Sequence, residues 1–324
     1  MVPTPNPPHP SAPRRATGIP VPLDRRSFLV RTGRIGGAGF LALGAPALLA
    51  ACGGSGKTDD ADRLSLTTTG SQLVGLFNYQ GGYLVSGLPQ RAVFTIASAA
   101  GPPTTEGPPV LPVRLTSPGG AARDVTLERH AEGTPIGYYP LFSTFDETGI
   151  WTLTAEIEGQ ESKQSFQVDP ARDVKIVQPG QAMIPVATPT GADARGVTPV
   201  CTRDPQCPLH ERDLASVLAS GQAVALMIST PLYCQTAVCG PVLDMVTTEA
   251  ARRPNMAFVH AEVYVNPSAT PDPGAGGTTP AVDRYGLTFE PSLFVARADG
   301  TVTSRLDNVF DTRELAQALD AATA

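Results

Sequence analysis

Two hydrophobic rhythms divide the chain. Across residues 64–169 apolar and polar positions alternate in twos. The clearest run is GIWTLTAEIEG, where Trp151, Leu153, Ala155 and Ile157 fall on one face of a strand and Thr152, Thr154, Glu156 and Glu158 on the other. RAVFTIASA, PVRLTS, RDVTLERH and SKQSFQVD repeat the pattern between Gly/Pro turns, with no amphipathic helix among them. Several short strands at that spacing predict an all-β antiparallel sandwich over residues 63–170. Residues 171–208 include QPGQAMIPVATPTGADARGVTP and read as a linker with a cysteine-containing loop, because Pro, Gly and small side chains dominate.

From residue 209 the rhythm changes to strands alternating with helices, an α/β pattern. DLASVLASG predicts a short helix ended by Gly221, AVALMIST a buried strand, and GPVLDMVTTEAARR a helix with Pro241 in its first turn. MAFVHAEVYV predicts a second strand, and SLFVARADGTVTSRLDNV a hairpin turning at Asp299 and Gly300. A last helix, DTRELAQALDAA, starts at Asp311 with Glu314 three residues on, the spacing of a capping box. The Pro/Gly-rich residues 266–280 read as slack between the second strand and Tyr285.

The start of the chain belongs to neither half. Arg25 and Arg26 precede Phe28 and Leu29, then an uncharged run of 17 residues over 35–51. A charged stretch followed by a modest apolar one predicts a secretion signal; the run is short of the roughly 20 residues that span a bilayer. The segment resembles a twin-arginine signal, Ser/Thr-Arg-Arg-x-Phe-Leu-Lys, with Asp24 and Val30 replacing its first and last members. LAAC at 49–52 resembles a bacterial lipobox, which implies that Cys52 is lipidated and becomes the new N-terminus, with residues 52–62 as a tether. Residues 1–51, signal peptide and Pro-rich leader, are then discarded. The expected location is the extracytoplasmic face of the cell membrane, held through the lipid alone.

Removal of that segment, with six arginines and one aspartate, takes the 24 basic and 30 acidic side chains to 18 and 29, a net charge of −11. Phosphate binding needs basic clusters, so nucleic acid is excluded as a partner.

Beyond Cys52 the chain has four cysteines, Cys201, Cys207, Cys234 and Cys239. An even count in an exported chain favours disulfides, and three pairings are possible. On a continuous helix, positions five apart turn through about 500° to opposite sides. A bond between Cys234 and Cys239 therefore requires a loop or a late helix start, such as one near Gly240 and Pro241, that brings their Cα atoms within about 7 Å. Nearness to a helix N-terminus would favour a reactive thiolate.

Strand, cysteine, helix, strand, helix, hairpin, helix is the order of a thioredoxin fold. DRYGLTFEPSLFVARADGTV resembles the thioredoxin segment in which Tyr-Gly leads to a cis-proline, an apolar strand and a turn; Tyr285, Gly286, Pro291, Ser292 and Gly300 fall on those positions. The resemblance covers residues 210–322. It implies thiol–disulfide exchange with exported protein thiols or disulfides, Cys234 attacking, Cys239 resolving, cis-Pro291 beside Cys234, and no cofactor. Tyr233 stands where that family has Trp, Ile228 where it has a buried Asp, and four residues separate the cysteines instead of two. With no carboxylate at Ile228, proton transfer falls to water or another group. DETGIWTLTAEIEG resembles a late strand of immunoglobulin-like domains, without their inter-sheet cysteines, so the expected architecture is an immunoglobulin-like sandwich followed by a thioredoxin-like domain over 209–324.

Three other readings stay open. TPLYCQTAVC is similar to a peroxiredoxin stretch, but Thr230 stands four residues before Cys234 instead of three, and Glu290 and Pro291 occupy the place of the activating arginine. A cell-surface binding lipoprotein with an inert Cys234 to Cys239 staple is the second. The third is a metal site, since CTRDPQCPLH offers Cys201, Cys207 and His210. The five residues between those cysteines exceed usual zinc spacing, and His130 and His260 lie in strand-like runs that suit satisfied buried rings. The expectation is a structural Cys201 to Cys207 disulfide and no metal.

Overall fold

The structure, a computed structural model, describes residues 70–98, 101–234 and 237–324. Arg25, Arg26 and Cys52 lie outside them. Eight strands come first: β1 (Ser71–Gly75), β2 (Leu84–Val85), β3 (Pro89–Ser98), β4 (Val110–Thr116), β5 (Ala122–Glu128), β6 (Tyr139–Thr144), β7 (Gly149–Ile157) and β8 (Gln160–Asp169). They form a three-stranded sheet, β1-β3-β6, and a five-stranded sheet, β2-β8-β7-β4-β5, antiparallel except for the β2/β8 pair. In β7 the alternation is kept, with Trp151, Leu153, Ala155 and Ile157 buried. Phe77, Tyr83, Phe94, Phe145, Trp151 and Phe166 meet ring to ring between the sheets at 5.0 to 5.9 Å.

Residues 171–208 adopt little regular structure, as their composition dictates, but they are not a loose linker. Ile176, Val177, Met183, Val186 and Val197 are buried. The backbone is tied to the later hairpin through Gly180 N to Val302 O, Val302 N to Gln181 O and Met183 N to Gly300 O. Apolar side chains spaced through a Pro/Gly-rich stretch give it enough to bury without a helix or strand.

The second half contains α1 (Leu214–Ala219), β9 (Val224–Ile228), α2 (Cys239–Arg252), β10 (Ala257–Ala261), α3 (Pro280–Tyr285), β11 (Ser292–Ala296), β12 (Val302–Asp307) and α4 (Thr312–Thr323). The sheet order is β10-β9-β11-β12, with β10 parallel to β9 and β11 antiparallel to both its neighbours. Side chains of β9 alternate between two helical layers. Ala225 and Met227 pack with Val242, Val246, Leu315 and Leu319 of α2 and α4; Val224, Leu226 and Ile228 pack on the side of Leu214, Val217, Ala281 and Tyr285 of α1 and α3. Both faces of the sheet are covered, which is why its strands read as unbroken apolar runs.

The two halves share one compact unit. Arg91 of β3 forks onto Glu314 of α4 at 2.7 and 2.8 Å and donates to Asp307 O and Val309 O. Tyr138 Oη donates to Glu314 and accepts from Asp311 N. Asp311 caps α4 by accepting from Glu314 N, whereas the Glu314 side chain turns away from the cap to meet Arg91. Only half of the expected capping box is made, because a buried guanidinium outcompetes a backbone N–H for the carboxylate.

Candidate redox site

Strand β9 ends at the buried pair Ser229 and Thr230, and the chain then loops to α2. Helix α2 starts at Cys239, so of the two sulfurs only Cys234 precedes it. Cys234 and Cys239 are joined as a disulfide with Cα atoms 6.0 Å apart. Ala237, at φ +56°, turns the chain back in a left-handed conformation just ahead of the helix, so that positions five apart meet. Cys239 is fully buried; Cys234 is partly exposed.

The peptide Glu290–Pro291 is cis and leads into β11. The residue that reaches the disulfide is the one before the proline. Glu290 Oε2 accepts from Thr230 N at 2.6 Å and lies 3.6 Å from Cys239 Sγ. Burial pushes its carboxyl up to about 7, opposed by the Thr230 hydrogen bond and reinforced by Glu262. Glu262 is likewise pushed up to about 7 by burial, while its Oε1 accepts from Thr202 N at 2.5 Å. Ile228 leaves no carboxylate on β9, and Glu290 supplies one from the bend that leads into the neighbouring strand β11. The sequence signal was a glutamate directly before the proline expected beside the cysteines.

The first half forms a wall of this site. Val93 and Tyr138 pack with Val238 and Val309, and Cys234, Leu76 and Ile136 pack against that group. Leu232, two residues before Cys234, is 68% exposed.

The other two cysteines correct an expectation. Cys201 and Cys207 are buried and not bonded, with sulfurs 3.7 Å apart against about 2.05 Å for a disulfide. Two imidazoles close on them. His260 Nδ1 lies 3.4 Å from Cys207 Sγ, 3.7 Å from Cys201 Sγ and 3.1 Å from His210 Nε2. The contact between the two sulfurs holds Cys201 below the ordinary thiol range, against the effect of burial, and the two imidazoles act in the same direction as that contact. These four side chains could together hold a metal ion. His260, read as a satisfied strand residue, is the member sequence reasoning missed; it comes from β10, 50 residues after His210. A second group, His130, Asp311 and Glu314, is already saturated by Arg91, Tyr138 and Arg313. Among the described residues no helix is long and apolar enough to cross a membrane.

No family model and no curated protein matches the chain. Among solved structures, a secreted Mycobacterium tuberculosis disulfide oxidoreductase homologous to E. coli DsbE is 24% identical over 34% of this chain and 87% of its own, with a TM-score of 0.23. A thioredoxin-family thiol:disulfide interchange protein from Chlorobium tepidum TLS is 18% identical over 44% of this chain and 100% of its own, with a TM-score of 0.25. Salmonella alpha-2-macroglobulin is 15% identical over 40% of this chain, which spans 8% of that protein, with a TM-score of 0.25. The second half of the chain is thioredoxin-like in its own right, by strand order, strand direction and the helices on both faces of the sheet.

Proposed function

We propose that the chain is a thiol–disulfide oxidoreductase in which Cys234 and Cys239 are the exchanging pair. The reading is carried by one observation: a disulfide with one buried and one accessible sulfur, with the Glu290 carboxyl 3.6 Å from the buried one. In the reduced chain the Cys234 thiolate attacks a partner disulfide, forming a mixed disulfide and expelling the partner's other sulfur as a thiolate. Cys239 then loses its proton to Glu290 and attacks Cys234 Sγ. The intramolecular disulfide re-forms, the partner leaves as a dithiol, and two electrons have passed to it. The same steps reversed oxidise a partner. A carboxyl near pKa 7 is suited to accept and return that proton at neutral pH.

In this reading the partners are exported protein thiols or disulfides, and the lipid on Cys52 holds the chain at the outer face of the cell membrane. The first half is an immunoglobulin-like sandwich that walls one side of the site.

Equilibration of the purified protein in glutathione buffers of graded potential, followed by thiol alkylation and mass analysis, tests the assignment. Reversible conversion of one Cys234/Cys239 dithiol is expected. A bond that survives millimolar dithiothreitol in the folded protein overturns it and leaves the inert-staple reading. Labelled fatty acid on wild type but not on a Cys52→Ala variant tests the anchor; equal labelling of both sinks it.

A further inference from the structure

We propose that Cys201, Cys207, His210 and His260 form a tetrahedral site for one zinc ion, which fastens the irregular segment ahead of α1 to the edge of the second-half sheet. The inference stands apart from the redox reading and needs no exchange activity.

The spacing of the four groups fits the metal. Ligands at about 2.3 Å for sulfur and about 2.0 to 2.1 Å for nitrogen from a tetrahedral zinc are separated by roughly 3.8 Å for S···S, roughly 3.5 Å for S···N and roughly 3.3 Å for N···N. The observed edges are 3.7 Å between the sulfurs, 3.4 and 3.7 Å from His260 Nδ1 to each sulfur, and 3.1 Å between the imidazole nitrogens. All four ligand atoms lie within 4.8 Å of one another. A disulfide would draw the sulfurs together and leave the imidazoles without a shared partner.

The imidazole orientation points the same way. His260 Nε2 lies 3.1 Å from Ser229 O, and an N–H donated there leaves the Nδ1 lone pair facing the sulfurs. His210 Nε2 faces that same Nδ1 at 3.1 Å. Two ring nitrogens so placed need a proton or a cation between them, and two adjacent thiols add two more donors to the same small space. Zinc satisfies all four at once: it displaces the remaining thiol protons to solvent, and a dication with two thiolates and two neutral imidazoles carries no net charge into a buried site. Two sulfurs and two nitrogens in tetrahedral array select zinc over metals that prefer oxygen or planar coordination.

The site also has a mechanical place. His260 N donates to Leu209 O, so the segment 201–210 runs beside β10, an edge strand of its sheet. Thr202, next to Cys201, accepts from Leu232 N at 3.3 Å, two residues before Cys234. Ser229, under His260, begins the same loop. The ion thus steadies the backbone that meets Ser229 and Leu232.

The test is metal analysis of the full chain purified without chelator, with thiols counted before and after a mercurial releases the metal. One zinc per chain is expected, with two thiols that react only after release. Cys207→Ser and His260→Gln are expected to lower zinc content at least tenfold, and a Cys234→Ser/Cys239→Ser double variant to keep one zinc. If the ligand variants do not fold, cobalt(II) added to the metal-stripped wild type decides: tetrahedral thiolate-cobalt absorption supports the site. A metal-free protein two mass units lighter from a Cys201 to Cys207 disulfide overturns the proposal, as does copper in place of zinc or cobalt bound without thiolate absorption.

Discussion

Two pairs of cysteines, separated by almost equal stretches of chain, meet opposite surroundings. Cys234 and Cys239 straddle the start of a helix, the first partly exposed and the second buried, with the Glu290 carboxyl 3.6 Å from the buried sulfur. Cys201 and Cys207 sit in an irregular loop, both buried, with two imidazoles against them and no bond between them. Spacing along the chain does not distinguish the pairs. What does is which other side chains the fold delivers to the sulfurs, a carboxyl in one case and two imidazoles in the other.

The contrast can be broken most severely at Cys234. Its replacement by Ser is expected to abolish turnover of a disulfide substrate to the uncatalysed background, while thiol counting still finds the Cys201/Cys207 pair masked. Residual turnover comparable to wild type would assign exchange to the wrong pair. Next in size is the seam between the two halves. Arg91→Ala leaves Glu314 buried without its cation and should cost about 3 to 5 kcal/mol of unfolding free energy, measured by urea denaturation at pH 7. A loss below about 1 kcal/mol would mean the two halves are joined mainly by apolar contact.

Glu290→Gln sharpens the comparison further. A neutral amide cannot take the Cys239 proton, so exchange at pH 8 should fall roughly a hundredfold, the scale of a lost general base. The rise in wild-type rate through about pH 7 should flatten. Stability carries a second signature. Glu262 and the burial around Glu290 raise its carboxyl above the ordinary glutamate range, with Thr230, Cys239 and Tyr264 as its other near groups. The folded chain therefore keeps a proton that the unfolded chain has lost, and unfolding free energy falls as pH climbs from the normal range through about 7, by up to about 3 kcal/mol. The glutamine variant should lose that part of the decline; an unchanged slope would place the titration elsewhere. Smallest is Leu232→Ser at an exposed position, expected to change stability by less than about 0.5 kcal/mol, as judged by thermal unfolding. A larger loss would mean that side chain is packed rather than exposed.

Much of the architecture was readable from periodicity. The alternation of β7, the apolar strand β9, the hairpin at Asp299 and Gly300, and the cap at Asp311 each follow from local preferences and appear where those preferences put them. Strand β3 shows where such reading stops. Gln90 to Ala97 are all buried, Arg91 and Thr95 included, because one face lines the sandwich and the other meets the second half; no alternation announces a polar residue that finds its partner 223 positions away. The sites divide in the same way. The spacing of Cys234 and Cys239 could be read locally and Pro291 through the thioredoxin resemblance, whereas Glu290 and His260 meet neighbours that only folding brings close. His260 in particular sits on an inward position of β10, where periodicity says "core" and cannot say what stands opposite.

The Arg91 to Glu314 clamp has a practical outcome for anyone wishing to cut this molecule in two. A fragment beginning after residue 170 would inherit an orphaned acid in its last helix and a bare hydrophobic flank around Val309. Sandwich and second half have grown into mutual dependence, so recombination that swaps either one for a foreign module would have to carry both sides of that seam.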